Sequence, residues 1–417
     1  GGTMKVRVGI TAPLVLAGAG EGFLRWPCFL ERNFTIPEEF KHTVWVESSQ
    51  ALHGTSSKLK REQSTNGLAT VRGEFTEREL ADPSATVRAL RRGEVVTVWT
   101  TDSRDEKGRI VRQTMRETDR SLPRRVVFVV DGSQGMSAHF SAIANAVVKL
   151  PDGLQFAVVL AGDEVAELSE SARQGNAQTF RAAADELRRS KSGGGQDNVP
   201  ALVRGWDIAA ESQSGVIIWI HGPQPILLEN AEQLKQRFER RPGSPALFEL
   251  QTDAGPNRVV ERLDGLGAVK SVARLGTMTD DLNRLVASWG PSAKGIELIR
   301  ERVSSDLPET SQPGKKTTSH LARLWAHEEV LRLIAARKTD EAMRLAARFQ
   351  LVTPVSGAVV LETKQQYAVA GLQPVDAATV PTIPEPGTGV LLLVGLLAAW
   401  PLLRRQRRSR AHLEPVL

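Results

Sequence analysis

Strands alternating with helices between residues 123 and 290 predict an α/β unit built on a doubly wound, mostly parallel sheet. Three observations lead there. The run Val126–Val130 is apolar throughout, without alternation, which marks a strand covered on both faces. Two further runs of the same kind, Leu154–Ala161 and Gly215–Ile220, are separated from it by helix-patterned stretches. The first run then passes straight into Asp131-Gly132-Ser133, so an acid and a hydroxyl sit at the carboxyl end of the strand, where open α/β sheets bind their ligands.

Taken in order, residues 1–122 read as β-rich. Met4–Thr11 alternates, with Val6, Val8 and Ile10 opposite Lys5 and Arg7, and Thr43–Val46 and Glu94–Thr100 are further strand candidates. The polar stretch Ser48–Asn66 reads as connector. In the α/β unit, helices are expected at Phe140–Leu150, Ala172–Ser190, from Val199, Asn257–Leu263 and Thr279–Trp289. Ala246–Leu250 and Val269–Ala273 supply the remaining strands. Residues 291–318 mix charge, serine and proline and read as partly helical, then linker. Residues 319–370 hold a helix pair and a Val-Thr-Pro segment. The first helix carries Leu321, Leu324, Trp325 and Leu331 at helical spacing, and Thr339 is placed as the cap of the second. Residues 371–383 are a proline-bearing spacer, and 384–412 form a distinct tail.

Length and composition are those of a globular protein of two or three domains. The formal net charge is +6 with pI ≈ 9.6. The excess sits in Arg404, Arg405, Arg407, Arg408 and Arg410, so the remainder is near neutral and nucleic acid is excluded as a partner. The lone cysteine, Cys28, rules out an intramolecular disulfide or a cysteine metal cluster and reads as a small buried hydrophobe. The opening Gly1-Gly2-Thr3 has neither an initiator methionine nor a leader pattern, and the expectation is a fragment or processed form lacking its original N-terminus.

Asp131-Gly132-Ser133 after a buried strand resembles the first metal-site loop of von Willebrand factor type A (vWA) domains, whose pattern is Asp-x-Ser-x-Ser. The opening Met4–Leu14 resembles the closing strand of a vault/inter-α-trypsin (VIT) domain. The helix pair and Val-Thr-Pro segment resemble the stretch that succeeds the A domain in bacterial relatives of inter-α-trypsin inhibitor heavy chains. These resemblances imply a divalent cation, Mg²⁺ or Mn²⁺, held by oxygen ligands from three loops. The residues standing at those positions are Asp131 and Ser133 of the first loop, Gln196 and Asp197 of the second, and His221 of the third. The chain departs from the pattern. Gly135 stands for the last serine, Gln196 for a threonine and His221 for an aspartate. The resulting expectation is a degenerate site with no cofactor or a weakly bound divalent cation, while His221 suits a transition metal better than Mg²⁺. Loss of the site leaves Asp131 as a loop-capping acid.

No dinucleotide fingerprint, phosphate loop, nucleophile elbow or His-Glu-x-x-His spacing occurs, so no enzyme is expected. A metal-dependent hydrolase would need a base near Asp131 that the sequence does not offer. His320 and His327 read as solvated, and Trp206, Trp219, Trp289 and Trp325 as core.

The tail runs Pro384-Glu385-Pro386-Gly387, then an uncharged stretch to Leu403, then the arginine cluster. That stretch reaches the lower end of what spans a bilayer, and the arginines place it with the upstream chain outside the cytoplasm. The three parts together resemble the PEP-CTERM sorting signal, which implies an exosortase as processing partner and a temporary single-pass membrane anchor. The expected function is an exported surface or extracellular-matrix protein whose α/β unit binds a protein or matrix ligand through the loops Asp131–Ser137, Gln196–Asn198 and His221–Gln224. The alternatives are a structural component of an exopolysaccharide matrix and a metal-dependent adhesin.

Overall fold

The computed structural model describes residues 10–28, 35–63, 67–82, 86–91, 96–119, 122–169, 173–194, 197–228, 230–241, 245–263, 266, 268–289, 294–304, 312–357 and 364–369. The predicted opening strand at residues 4–9, Gln196 and the whole tail with Pro384, Glu385, Pro386, Gly387 and the arginines fall outside the described residues. Among the described residues, no helix is long and apolar enough to cross a membrane.

The amino-terminal region contains β1 (Val15–Gly18), β2 (Glu21–Leu24), β3 (His42–Ser48), β4 (Leu52–Gly54), β5 (Lys60–Gln63), β6 (Ala69–Phe75), α1 (Glu77–Ala81) and β7 (Val87–Leu90). They make two sheets, β1-β2-β7-β4 and β3-β6-β5. Leu52, Val87 and Ala89 of one and Val71 of the other close a small shared core. Ser48–Asn66, expected as connector, holds β4 and β5. Their inward positions are Leu52 alone and polar residues around it, too little apolar signal to read as strands.

Next come β8 (Thr97–Thr101) and β9 (Ile110–Asp119), and then the α/β unit. It runs β10 (Arg125–Asp131), a 3-10 turn at Gln134–His139, α2 (Phe140–Val148), β11 (Gln155–Ala161), β12 (Val165–Glu167), β13 (Arg173–Gln174), α3 (Ala177–Arg189), α4 (Val199–Ala210), β14 (Gly215–His221), α5 (Glu232–Arg240), β15 (Ala246–Gln251), α6 (Arg258–Leu263), β16 (Val269–Ser271) and α7 (Met278–Ala287). The sheet order is β12-β11-β10-β14-β15-β16, with β13 also on β11. β10, β11, β14, β15 and β16 are parallel. The doubly wound expectation therefore holds, with β12 and β13 as added antiparallel edges.

The burial pattern explains why β10 carries no alternation. Val126, Phe128 and Val130 pack under α2, α3 and α7, while Val127 and Val129 pack under α4, α5 and α6. Every residue of β10 is buried. Gly205 on α4 lets that helix approach closely, since a Cβ there would stand 2.6 Å from Val129 Cγ2. α3 begins with a capping box between Asn176 and Thr179.

After α7 come β17 (Lys294–Val303), β18 (Lys315–Lys316), α8 (His320–Ala335) and α9 (Thr339–Phe349). The stretch 291–318, expected as partly helical and then linker, instead contributes a ten-residue strand. β17 lies antiparallel to β9, from Lys294 opposite Asp119 to Val303 opposite Ile110. The sheet β17-β9-β8-β18 thus joins the segments entering and leaving the α/β unit. α8 and α9 cover it through Leu321, Trp325 and Phe349 against Val111. Thr339 is the first residue of α9 rather than its cap, which is Lys338. By contacts the chain forms two units, Thr11–Ala358 and a second drawn from Gly1–Ile10 and Val359–Leu417. The described part of the second is Ile10 and a short helix, Lys364–Val369.

Candidate functional site

The strand order turns outward from β10 in both directions, to β11 on one side and β14 on the other. Such a switch point leaves a crevice at the carboxyl ends of the two strands. Asp131 closes β10 at this place and is 2% exposed. Its Oδ1 accepts the Ser133 N–H at 2.8 Å. Its Oδ2 accepts the Gly222 N–H and the Gln224 Nε2–H, each at 3.2 Å. Gly132 is drawn to both neighbouring loops, donating to Ala161 O and accepting from Gly193 N.

The second loop enters through Gly194, whose φ of +88° favours glycine. A Cβ there would lie 2.3 Å from Asp163 Oδ1. Asp197 is buried, and its two oxygens accept the backbone N–H groups of Val199 and Leu228. It thereby caps the first turn of α4 and pins the loop that follows β14. Asn198, fully buried, accepts the Trp219 indole N–H at 2.9 Å and donates its own N–H to Gln224 Oε1 at 3.3 Å.

His221 is a core residue. It is 0% exposed and stacks on Trp219. Nδ1 donates to the Gly222 carbonyl at 2.6 Å, and Nε2 lies 3.3 Å from Glu249 Oε1 and 3.4 Å from Asn257 Nδ2. Both ring nitrogens are engaged within this layer, which corrects the expectation of an imidazole offered to a cation. Burial pushes the Glu249 carboxyl upward, but His221, Ser271 and Asn257 outweigh it and hold its pKa below the ordinary value. At the rim, burial holds the His139 pKa below the usual imidazole range against the pull of Asp253.

The described residues do not fit a divalent cation, and Gln196, the second-loop candidate, lies outside them. A carboxylate offers about four lone-pair positions, and three on Asp131 are taken by N–H donors. Asp197 faces backbone donors, Gly135 has no side chain and is exposed, and His221 is turned away. Ser133 is half-exposed and engages Asp131 through its backbone N–H. Hard cations need more oxygens than this remainder supplies. Among the described residues, no group of three His, Cys, Asp or Glu side chains is arranged to hold a metal.

No family model matches the chain, and no curated protein matches it. Solved structures do. A von Willebrand factor type A protein from Catenulispora acidiphila is 17% identical with TM-score 0.36, the match covering 47% of this chain and 46% of that one. The manganese-loaded TRAP protein of Plasmodium vivax is 14% identical with TM-score 0.29, covering 46% of this chain and 82% of that one. Proximal thread matrix protein 1 of the mussel byssus, in a form with a zinc-occupied MIDAS motif, is 13% identical with TM-score 0.32, covering 45% and 50%. The chain thus spans under half the length of the first of these.

Gln224, Glu249, Asn257 and Thr252 complete the site without belonging to any motif. Gln224 alone carried a signal, the flanking Pro223 and Pro225 that stiffen its loop. On that loop Leu227 packs into the core while Ile226 and Leu228 stand 59% and 62% exposed. A cavity of about 610 Å³ lies elsewhere, at the amino ends of the strands, lined by Arg125, Asp152, Gln155 and Glu211.

Proposed function

We propose that the α/β unit is a vWA-type binding module that recognises a protein or matrix ligand through the loops at the carboxyl ends of β10 and β14, without a metal bridge and without catalysis. The observation that carries this reading is the pair Ile226 and Leu228, exposed on a loop whose backbone is fixed at Gln224 and at Leu228 itself. Gln224 N donates to Pro256 O, Arg258 N donates to Gln224 O, and Leu228 N donates to Asp197. Apolar side chains held out on a rigid support lose little entropy when a partner covers them. Among the described residues no base or nucleophile set accompanies Asp131, which supports binding rather than turnover.

The amino-terminal sandwich supports a VIT-like reading of that region, and the sequence of the tail supports export, a transient single-pass anchor and exosortase processing, with the folded part outside the cytoplasm. Binding of the purified chain to surface and matrix fractions, measured with and without EDTA, tests the central claim. The expected result is a signal that survives chelation and is lost in the double variant I226D/L228D. A signal abolished by EDTA, or unchanged in the double variant, overturns it.

A further inference from the structure

A buried carboxylate needs hydrogen-bond donors or a counter-charge around it. No Lys, Arg or His side chain is paired with Asp131 among the described residues. The donors come instead from its own loop and from the loop after β14, and one of them is a side chain. That side chain, Gln224, is 6% exposed and reaches in two directions at once. Its Nε2–H donates to Asp131 at 3.2 Å while its Oε1 accepts the Asn198 N–H at 3.3 Å. Its backbone holds the loop after β15 through Pro256 O and Arg258 N, and a parallel bridge sets it beside Asn257. Four segments therefore meet on one residue: the end of β10, the start of α4, the loop after β14 and the loop after β15.

We propose that Gln224 serves as a metal-free cross-link in this crevice, taking the place a bridging cation would hold between the same loops. An amide suits this task because it donates and accepts from opposite sides of one planar group. It satisfies a carboxylate with one edge and a helix-start N–H with the other, carrying no charge that would need compensation. A cation would require several oxygens turned inward, whereas Asn198 presents an N–H at this point. The loops are held in their binding arrangement by covalently attached atoms, so their order is independent of metal supply. Exchange of the amide nitrogen for oxygen in Gln224→Glu sets a second carboxylate against Asp131. That pair is repulsive and loses the donor that satisfied Asp131.

This inference concerns the support of the proposed binding face and is tested without any partner. Thermal unfolding of the full chain is followed in EDTA, in excess Mg²⁺ and in excess Mn²⁺, for the wild type, Gln224→Met, Gln224→Glu and Asp131→Asn. The wild-type Tm is expected to be the same in all three conditions. Gln224→Met keeps the volume and loses both side-chain hydrogen bonds, and its Tm falls by about 3–8 °C with no recovery in either cation. Gln224→Glu, which sets a charge against Asp131, is expected to fall in all three conditions. A wild-type Tm that rises with either cation and ceases to do so in Asp131→Asn overturns the inference, because a metal then occupies the crevice. So does an unshifted Gln224→Met or an unshifted Gln224→Glu. A change in ligand binding with all of these Tm results intact would count against the functional reading alone.

Discussion

The indole of Trp219 and the imidazole of His221 lie stacked, their ring centroids 3.7 Å apart and their planes 24° from parallel. Two residues on one face of β14 thus form a single aromatic layer with no solvent exposure, closed at its far side by Glu249. Replacing His221 with aspartate, the residue the vWA pattern calls for, removes the stack and sets a second carboxylate against Glu249. His221→Asp is expected to lose about 3–5 kcal/mol of stability. Urea unfolding measures it, and a loss under about 1 kcal/mol would show that the ring is not part of the core.

Gly194 is the backbone hinge of the second loop. With φ at +88° and Asp163 Oδ1 2.3 Å from where a Cβ would sit, Gly194→Ala strains the loop and displaces Asp163. The expected cost is about 1–3 kcal/mol. Gly135→Ala is the control, since nothing lies within 4 Å of its added carbon, and it should leave stability within about 0.5 kcal/mol. Equal effects at the two positions would refute the distinction.

Asp281 on α7 is 0% exposed and holds Arg274 at 2.8 Å and Arg284 at 2.5 Å, while also accepting the Leu275 N–H. Arg274, itself 8% exposed, donates from Nη1 to Gln251 O and Thr252 O. Asp281→Ala strands a buried guanidinium and should cost about 3–5 kcal/mol. Chemical denaturation of Asp281→Ala and the double variant D281A/R274M separates the pair from its parts. The double variant should recover stability relative to the single.

Acid should weaken the fold in two stages. His139 has a depressed pKa in the folded state, so its contribution is complete above the unfolded value of about 6.5 and is lost as pH falls below it. Glu249 has a depressed pKa as well, so its contribution is complete above about 4.3 and is lost as pH falls through the lower folded value. Tm measured from pH 7.5 downward should decline in both windows, with His139→Gln flattening the first and Glu249→Gln the second. A Tm that rises on acidification in either window contradicts the assignment.

Some of this architecture was legible in the residues. Val126–Val130 announced a strand buried on both faces because a helix layer lies on each side of it. β17 was not legible, because Glu297, Arg300, Glu301 and Arg302 give it the look of a solvated linker. Its charges are matched across the ladder, Glu297 to Arg116 at 2.7 Å and Glu301 to Arg112 at 2.6 Å, by residues far earlier in the chain. Pairing of that kind leaves no local period to read.

The sequence by itself determined the order of the five parallel strands and of the unit's helices other than α5, and set an acid at the carboxyl end of the central strand, since apolar period and turn chemistry act over neighbouring residues. Only the tertiary structure decided what that acid touches. Asp131 and His221 look like two ligands of one ion in the sequence. Folding turns the carboxylate toward Gln224 and the imidazole toward Glu249. The reason is the cost of burial. A buried polar group is stabilised by a partner, and that partner is chosen by which loops and strands the sheet brings alongside.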